Sequence, residues 1–356
     1  MTRMFVPGPV DVDAEVLQAQ TRPMLPHRSK EFEAIYARAA DKSRQLFLTT
    51  HRVFLAASSG TGLQEAAVRN FVEQKVLMCV NGAFAERWHE VALSNGKQAA
   101  KIEFAWDEPI EPTRVAETFR SGNYEALTIV HNETSTGMQN PVREVAQAVH
   151  SIAADALILV DAVSSLGGVK IEMDAWGLDM VLTSSQKCLA IPPGLALGAV
   201  SDRAMQKAEK VVDRGWYFDL VRMEKHRLKD STPATPAMSL VYALDVQLDR
   251  ILAEGLEARF ARHADMAKRV QEWTEAHDLP IYTPKGFRSQ TVTTVRNERG
   301  LDISDLNAYL MTKGMRVANG YGSLKNKTFR IAHMGDTKLT DIEMLLEAME
   351  EYLNEH

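Results

Sequence analysis

Cysteine is nearly absent. Cys79 and Cys188 are the only two, too few for a disulfide framework, and both stand in apolar or site-like surroundings. A reducing compartment is the expectation. No uncharged apolar run is long enough to span a bilayer, and the opening residues have no apolar stretch of signal-peptide length. A cytoplasmic location with no membrane partner is therefore expected. The formal net charge is −6 and the basic residues are scattered, so the electrostatic footprint of a nucleic-acid binder is missing. Internal repeats and low-complexity segments are lacking too, and no metal site is read.

What is present is an ordinary globular composition, 45% hydrophobic and 25% charged, over 356 residues. That length suits a large domain with a smaller one. The expected division is an N-terminal segment near the active site (1–15), a large domain (16–250) and a small C-terminal domain (251–356).

Helices are predicted over 13–20 and 29–47, the second capped by Ser29 and amphipathic through Phe32 and Ile35. A strand over 52–57 leads into the turn Ser58-Ser59-Gly60-Thr61-Gly62 and a helix over 63–71. Short apolar strands recur at 75–80, 126–131, 156–161, 179–183 and 195–200, with helical spacers between them. Such alternation predicts an α/β fold with a mainly parallel sheet flanked by helices. Sites in these sheets lie at the carboxyl ends of strands. A long helical stretch over 239–273 reads as an inter-domain helix. Strands near 290–296 and 328–332, with helices at 303–313 and 338–353, read as the smaller α/β domain.

Chemistry-bearing residues gather at the strand ends. Asp161 closes one apolar strand, and Lys187 follows the next in Ser184-Ser185-Gln186-Lys187. A lysine amine can join the aldehyde of pyridoxal 5'-phosphate as a Schiff base, and an aspartate can hold the pyridine nitrogen protonated. The Ser58–Gly62 turn offers open backbone N–H groups at a helix start, a phosphate site or an ordinary capped turn. It is neither a Walker loop nor a dinucleotide fingerprint, because no Gly-Lys-Ser/Thr follows and Glu65 takes the third glycine's place. Ser184-x-x-Lys187 also spells the nucleophile motif of penicillin-recognising hydrolases, but Ser-Asp-Asn and Lys-Thr-Gly are missing. Thr134, in a polar loop after a strand, can bond a cofactor oxygen or simply shape a turn. His27-Arg28 precedes a helix, a place for an anion or for a surface pair. Arg330, between apolar neighbours on a strand, needs a carboxylate from substrate or protein.

The motifs Ser59-Gly60-Thr61-Gly62, Asn81-Gly82-Ala83-Phe84, His131 to Gly137, Asp161 to Gly168, Ser185-Gln186-Lys187 and Phe329-Arg330-Ile331 occur in one order. The chain resembles the class V aminotransferases of fold type I, especially the alanine–glyoxylate and serine–pyruvate group, over nearly its whole length. The resemblance implies a pyridoxal-phosphate-dependent aminotransferase acting on a small amino acid and a 2-oxo acid by a ping-pong route. It makes Lys187 the Schiff-base lysine and Asp161 the partner of the pyridinium nitrogen. Ser59, Gly60 and Thr61 would cradle the phosphate with Gln186 nearby. Phe84 and Val163 would cover the two faces of the ring, Thr134 would contact the cofactor, and Arg330 would hold the substrate α-carboxylate. A homodimer with interfacial sites is implied, with Thr235 completing the other subunit's phosphate site. The segment Pro26 to Phe32 instead looks like phosphoserine aminotransferases, whose His-Arg pair meets a side-chain anion. It leaves an acidic or phosphorylated amino acid with 2-oxoglutarate as the alternative substrates. A lyase of the same fold and a non-catalytic relative are more distant alternatives.

Overall fold

The computed structural model describes residues 2–355. The first strands are β1 (Arg3–Phe5), β2 (Arg52–Ala57), β3 (Lys75–Val80), β4 (Gln98–Glu103) and β5 (Ala126–Val130), then the short pair β6 (Asn132–Glu133) and β7 (Met138–Gln139). They are followed by β8 (Leu157–Asp161), β9 (Met180–Ser184), β10 (Leu195–Val200), β11 (Val292–Arg296), β12 (Met315–Asn319) and β13 (Thr328–Ala332). Helices α1 (Ala14–Ala19), α2 (Lys30–Leu46), α3 (Gly60–Phe71), α4 (Ala83–Ser94), α5 (Pro112–Gly122) and α6 (Val142–His150) lie among the earlier strands. The later ones are α7 (Asp202–Lys210), α8 (Leu220–Arg227), α9 (Met238–Glu254), α10 (Leu256–Ala276), α11 (Ile303–Thr312) and α12 (Leu339–Glu355).

Seven strands form the main sheet in the order β2-β10-β9-β8-β5-β3-β4. From β9 to β4 every neighbouring pair is parallel. β5, β8, β9 and β10 are buried along their whole length, which is why they read as unbroken apolar runs. Alternate residues face two cores. Val53, Leu55, Ile158 and Val160 join α2, α5, α6 and α9, whereas Phe54, Ala56, Leu157 and Leu159 join α3, α4, α7 and α8.

The expected mainly parallel sheet is present, with one reversal: β10 runs antiparallel to both β2 and β9. The reason is the link over 185–194, which holds no helix. A parallel return needs a crossover of a dozen or more residues. A further difference is β4, absent from the predicted strands. It is the edge strand, and only Ile102 in Gln98–Glu103 is buried, so no apolar run announces it.

The second sheet has the order β1-β12-β13-β11, with β1 parallel to β12 and the rest antiparallel. The helical stretch predicted over 239–273 is two helices, broken at Gly255 with φ +85°. That left-handed residue ends α9 and redirects the chain. α9 packs into the main-sheet core through Val241, Leu244 and Ile251, while α10 sends Met266, Val270 and Trp273 into the core of the second sheet. Among the described residues no helix is long and apolar enough to cross a membrane.

Candidate active site

The carboxyl ends of β2, β5, β8 and β9 open on a cavity of about 270 Å³. Ser59, Gly60, Thr61, Phe84, Thr134, Asp161, Val163, Gln186 and Lys187 all line it. Nine of the sequence-predicted residues are thus brought to one space.

Lys187 is buried, and its Nζ donates to the carbonyl of Pro7 in the N-terminal segment. Burial first, then the nearby Arg330 charge, lowers its amine to about 8. Asp161, at the end of β8, is also buried. Burial pushes its carboxyl upward, while the Val163 N–H at 2.8 Å and Gln64 Nε2 at 2.6 Å pull it back. The strand ends therefore deliver one proton-exchanging amine and one hydrogen-bonded carboxylate to the same cavity.

At the start of α3 the N-cap Ser59 makes no side-chain capping bond. The first-turn N–H groups of Gly60 and Thr61 are left to a ligand. A Cβ on Gly60 would lie 2.4 Å from Val163 Cγ2, so glycine is required for that turn to approach Val163. Buried Gln64 Oε1, Asn132 Oδ1, Ser184 Oγ and Gln186 Oε1 have no hydrogen-bond partner among the described residues, and all four residues line the cavity. Orphaned polar atoms of this kind around an uncapped helix start, a lysine and an aspartate fit pyridoxal phosphate, which has a phosphate, an aldehyde and polar ring substituents.

Arg330 lies on β13 of the second sheet. Its Nε donates to the Asn319 carbonyl at 3.0 Å and its Nη1 to the carbonyl of Thr134, a residue that lines the cavity, at 3.3 Å. Burial lowers its guanidinium to about 10.

Four predicted residues do not line this cavity: Arg330, which reaches it only through the Thr134 carbonyl, and His27, Arg28 and Thr235. His27 is half-buried and Arg28 exposed in the turn before α2, and exposed Thr235 lines a separate apolar cleft with Tyr217 and Phe218. Several residues at the site were not singled out from sequence. Gln64 holds Asp161, and Arg87 lines the cavity. Glu133 accepts the N–H groups of Phe84 and Ala85, each at 3.1 Å, fixing the start of α4. Tyr321 stacks on Phe84 with ring centroids 5.3 Å apart. Only Glu133 carried a sequence signal, a carboxylate inside the His131–Gly137 motif.

The free cysteines are both buried, and burial raises the Cys188 thiol to about 11. A desulfurase-type thiolate has no candidate among them.

Comparison with known proteins gives the family. The family model described as Aminotransferase class-V matches residues 14–339. An uncharacterized aminotransferase of Methanocaldococcus jannaschii is 38% identical over 338 residues, covering 93% of this chain and 87% of its own. The L-aspartate–glyoxylate aminotransferase of Paracoccus denitrificans is 34% identical, with 95% and 87% covered. Among solved structures, the alanine–glyoxylate aminotransferase of a Nostoc species superposes with a TM-score of 0.93 at 30% identity, covering 99% of this chain and 96% of its own. This chain belongs to the class V aminotransferases and is a pyridoxal-phosphate-dependent aminotransferase of fold type I.

Proposed function

We propose that the enzyme transfers the amino group of a small amino acid, of the alanine or serine type, to glyoxylate or pyruvate by a ping-pong route. It does so as a cytoplasmic homodimer with sites at the subunit boundary. The observation that carries the reading is Lys187 and Asp161 opening on one cavity, with Arg330 bonded to the carbonyl of its lining residue Thr134. The names of relatives from Paracoccus and Nostoc, both glyoxylate aminotransferases, support the acceptor.

Bound pyridoxal phosphate supplies an aldehyde and an electron-withdrawing ring. The chain's residues do the rest. Lys187 Nζ would hold the cofactor, and the same amine is placed to take the substrate Cα proton as base and return it as acid. Its amine, at about 8, is close enough to neutrality for both directions. Asp161 keeps the ring nitrogen protonated. Ser59, Gly60 and Thr61 bind the phosphate, with Gln186 beside them. Phe84 and Val163 would pack against the ring, and Thr134 would contact the cofactor. Arg330 fixes the α-carboxylate. Thr235 would complete the phosphate site of the other subunit, and His27 and Arg28 would meet the side-chain anion of an acidic or phosphorylated substrate.

The test is direct. Purified protein is expected to show a visible absorption band that borohydride abolishes, with the reduced label on Lys187 by mass spectrometry. Alanine or serine should lose its amino group only when an oxo acid is present. Colourless protein that pyridoxal phosphate cannot reconstitute ends this reading.

A further inference from the structure

Arg87, on α4, lines the same cavity as Lys187. Its Nη2 donates to the Tyr321 hydroxyl at 2.6 Å, and its guanidinium carbon lies 4.9 Å from the Phe84 ring centroid. Tyr321 stacks on Phe84 with only 16° between the ring planes. The guanidinium carbon of Arg330 lies 5.6 Å from the Tyr321 ring centroid. One phenol therefore separates two arginines, Arg87 lining the cavity and Arg330 bonded to the carbonyl of its lining residue Thr134.

Among the described residues neither arginine meets a carboxylate within ion-pair distance. The neighbouring carboxylates are already engaged. Glu133 accepts from the N–H groups of Phe84, Ala85 and Ser135 and from the Ser135 hydroxyl. Asp161 accepts from Val163 and Gln64. A guanidinium beside a confined cavity without a counter-ion is costly unless a ligand brings one.

The anions of the proposed reaction do not use up both arginines. The phosphate has the uncapped start of α3, and the α-carboxylate has Arg330. Arg87 is left for a further anion. Because the Tyr321 oxygen accepts from Arg87, its own proton is free to donate. A phenol O–H beside the remaining guanidinium N–H groups makes a two-point receptor for a planar carboxylate.

We propose that Arg87 and Tyr321 bind the side-chain carboxylate of a dicarboxylic amino acid of four or five carbons, and of the matching oxo acid. This deepens the proposed function and rests on it, because it takes Arg330 as the α-carboxylate site. The enzyme then accepts aspartate- or glutamate-type donors in addition to alanine- and serine-type ones.

The experiment measures kcat/KM of the holoenzyme, at saturating pyridoxal phosphate, for aspartate, glutamate, alanine and serine with glyoxylate. Thermal shifts with succinate and with propionate are read in parallel. For the wild type, a dicarboxylic donor should turn over, and succinate should raise the melting temperature more than propionate does. In Arg87→Met the aspartate-to-alanine (or glutamate-to-alanine) ratio of kcat/KM should fall by roughly a hundredfold. Tyr321→Phe keeps the ring stack, loses only the hydroxyl, and should lower the ratio by roughly tenfold. Should Arg87→Met fail to fold, Arg87→Gln and Tyr321→Phe carry the test. Ratios within about threefold of wild type in the folded variants overturn the inference. So does an enzyme that uses alanine or serine but neither dicarboxylic donor. Absence of turnover with every donor instead overturns the proposed function beneath it.

Discussion

Gln64 Nε2 lies 2.6 Å from Asp161 Oδ2, and both side chains are buried. One comes from α3 and the other from the end of β8, so the helix whose uncapped start we propose for the phosphate also steadies the carboxylate. Burial alone would push the Asp161 carboxyl upward and weaken the hold on a cationic ring nitrogen that we propose for it.

Gln64→Leu keeps the volume and removes the donor. A hydrogen bond to a charged group contributes about 1.5–3 kcal/mol. The Asp161 carboxyl should therefore rise further, and kcat should fall by roughly tenfold or more, with a smaller change in amino-acid KM. Stopped-flow half-reactions with one donor check it. An unchanged rate would show that the Val163 N–H suffices.

Lys187 gives a pH signature in the cofactor-free protein. Its amine stands at about 8 against an ordinary 10.5 because burial, then Arg330, disfavours the charged form. Between these values the unfolded chain holds a proton that the folded chain has released, so stability rises with pH across that window. Below about 8 both states are protonated and the cost of the buried charge is fully present. Lys187→Met lacks this slope. The difference in urea-unfolding free energy between the two proteins should change by up to about 3 kcal/mol from pH 7 to 10, in favour of wild type at high pH. Parallel curves would contradict the lowered amine.

Much of this site was legible because fully buried parallel strands leave apolar runs in the sequence, and the residue after each run marks a carboxyl end. Asp161 and Lys187 were found that way, and Ser59 to Thr61 by the glycines opening α3. β4 lacked the signal because an edge strand needs only one buried face. Gln64 sits mid-helix among residues that read as ordinary helix, so nothing local marks its reach to Asp161. Tyr321 follows β12 and meets Phe84 only because the loop after that strand reaches the start of α4. Periodicity reports which face is buried, but not which distant residue shares it. His27 and Arg28 had the converse problem: their composition suits an anion, yet they line no part of this chain's cavity.

The N-terminal segment supplies a sharper constraint at Gly8, with φ +86°. A Cβ there would stand 2.6 Å from Lys187 Cδ and 2.8 Å from the Gln186 carbonyl. Gly8→Ala combines a disfavoured left-handed backbone with a clash against the lysine stem. The left-handed conformation alone costs about 1–2 kcal/mol. Relief of the clash must move either the segment or Lys187. The variant is expected to bind pyridoxal phosphate at least about tenfold more weakly, in proportion to that cost. Spectrophotometric titration of the apoprotein measures this, and wild-type affinity would mean that the segment yields and Lys187 does not.

Arg259 joins the second helical core to the loops that carry the chemistry. It is only 1% exposed. From α10 its Nε donates to the Gly167 carbonyl at 2.8 Å and its Nη2 to the Cys188 carbonyl at 2.7 Å. Its Nη1 reaches Glu254 at 2.7 Å and Asp336 at 3.1 Å. Gly167 ends the loop after Asp161, and Cys188 follows Lys187, so a single planar fork ties both loops to one helix. Arg259→Met removes the fork and leaves two buried carbonyls unpaired, at about 1–3 kcal/mol each. Glu254 retains Arg262 and Asp336 retains Gln247, which limits the electrostatic part of the loss. A total near 3 kcal/mol in the urea-unfolding free energy of the holoenzyme is expected. Arg259→Lys should recover little, because one ammonium cannot span both carbonyls and the carboxylates. If stability falls but cofactor affinity and turnover do not, the fork braces the fold without positioning Lys187. If all three fall together in Arg259→Lys, where the charge remains, geometry and not charge is what the loops require.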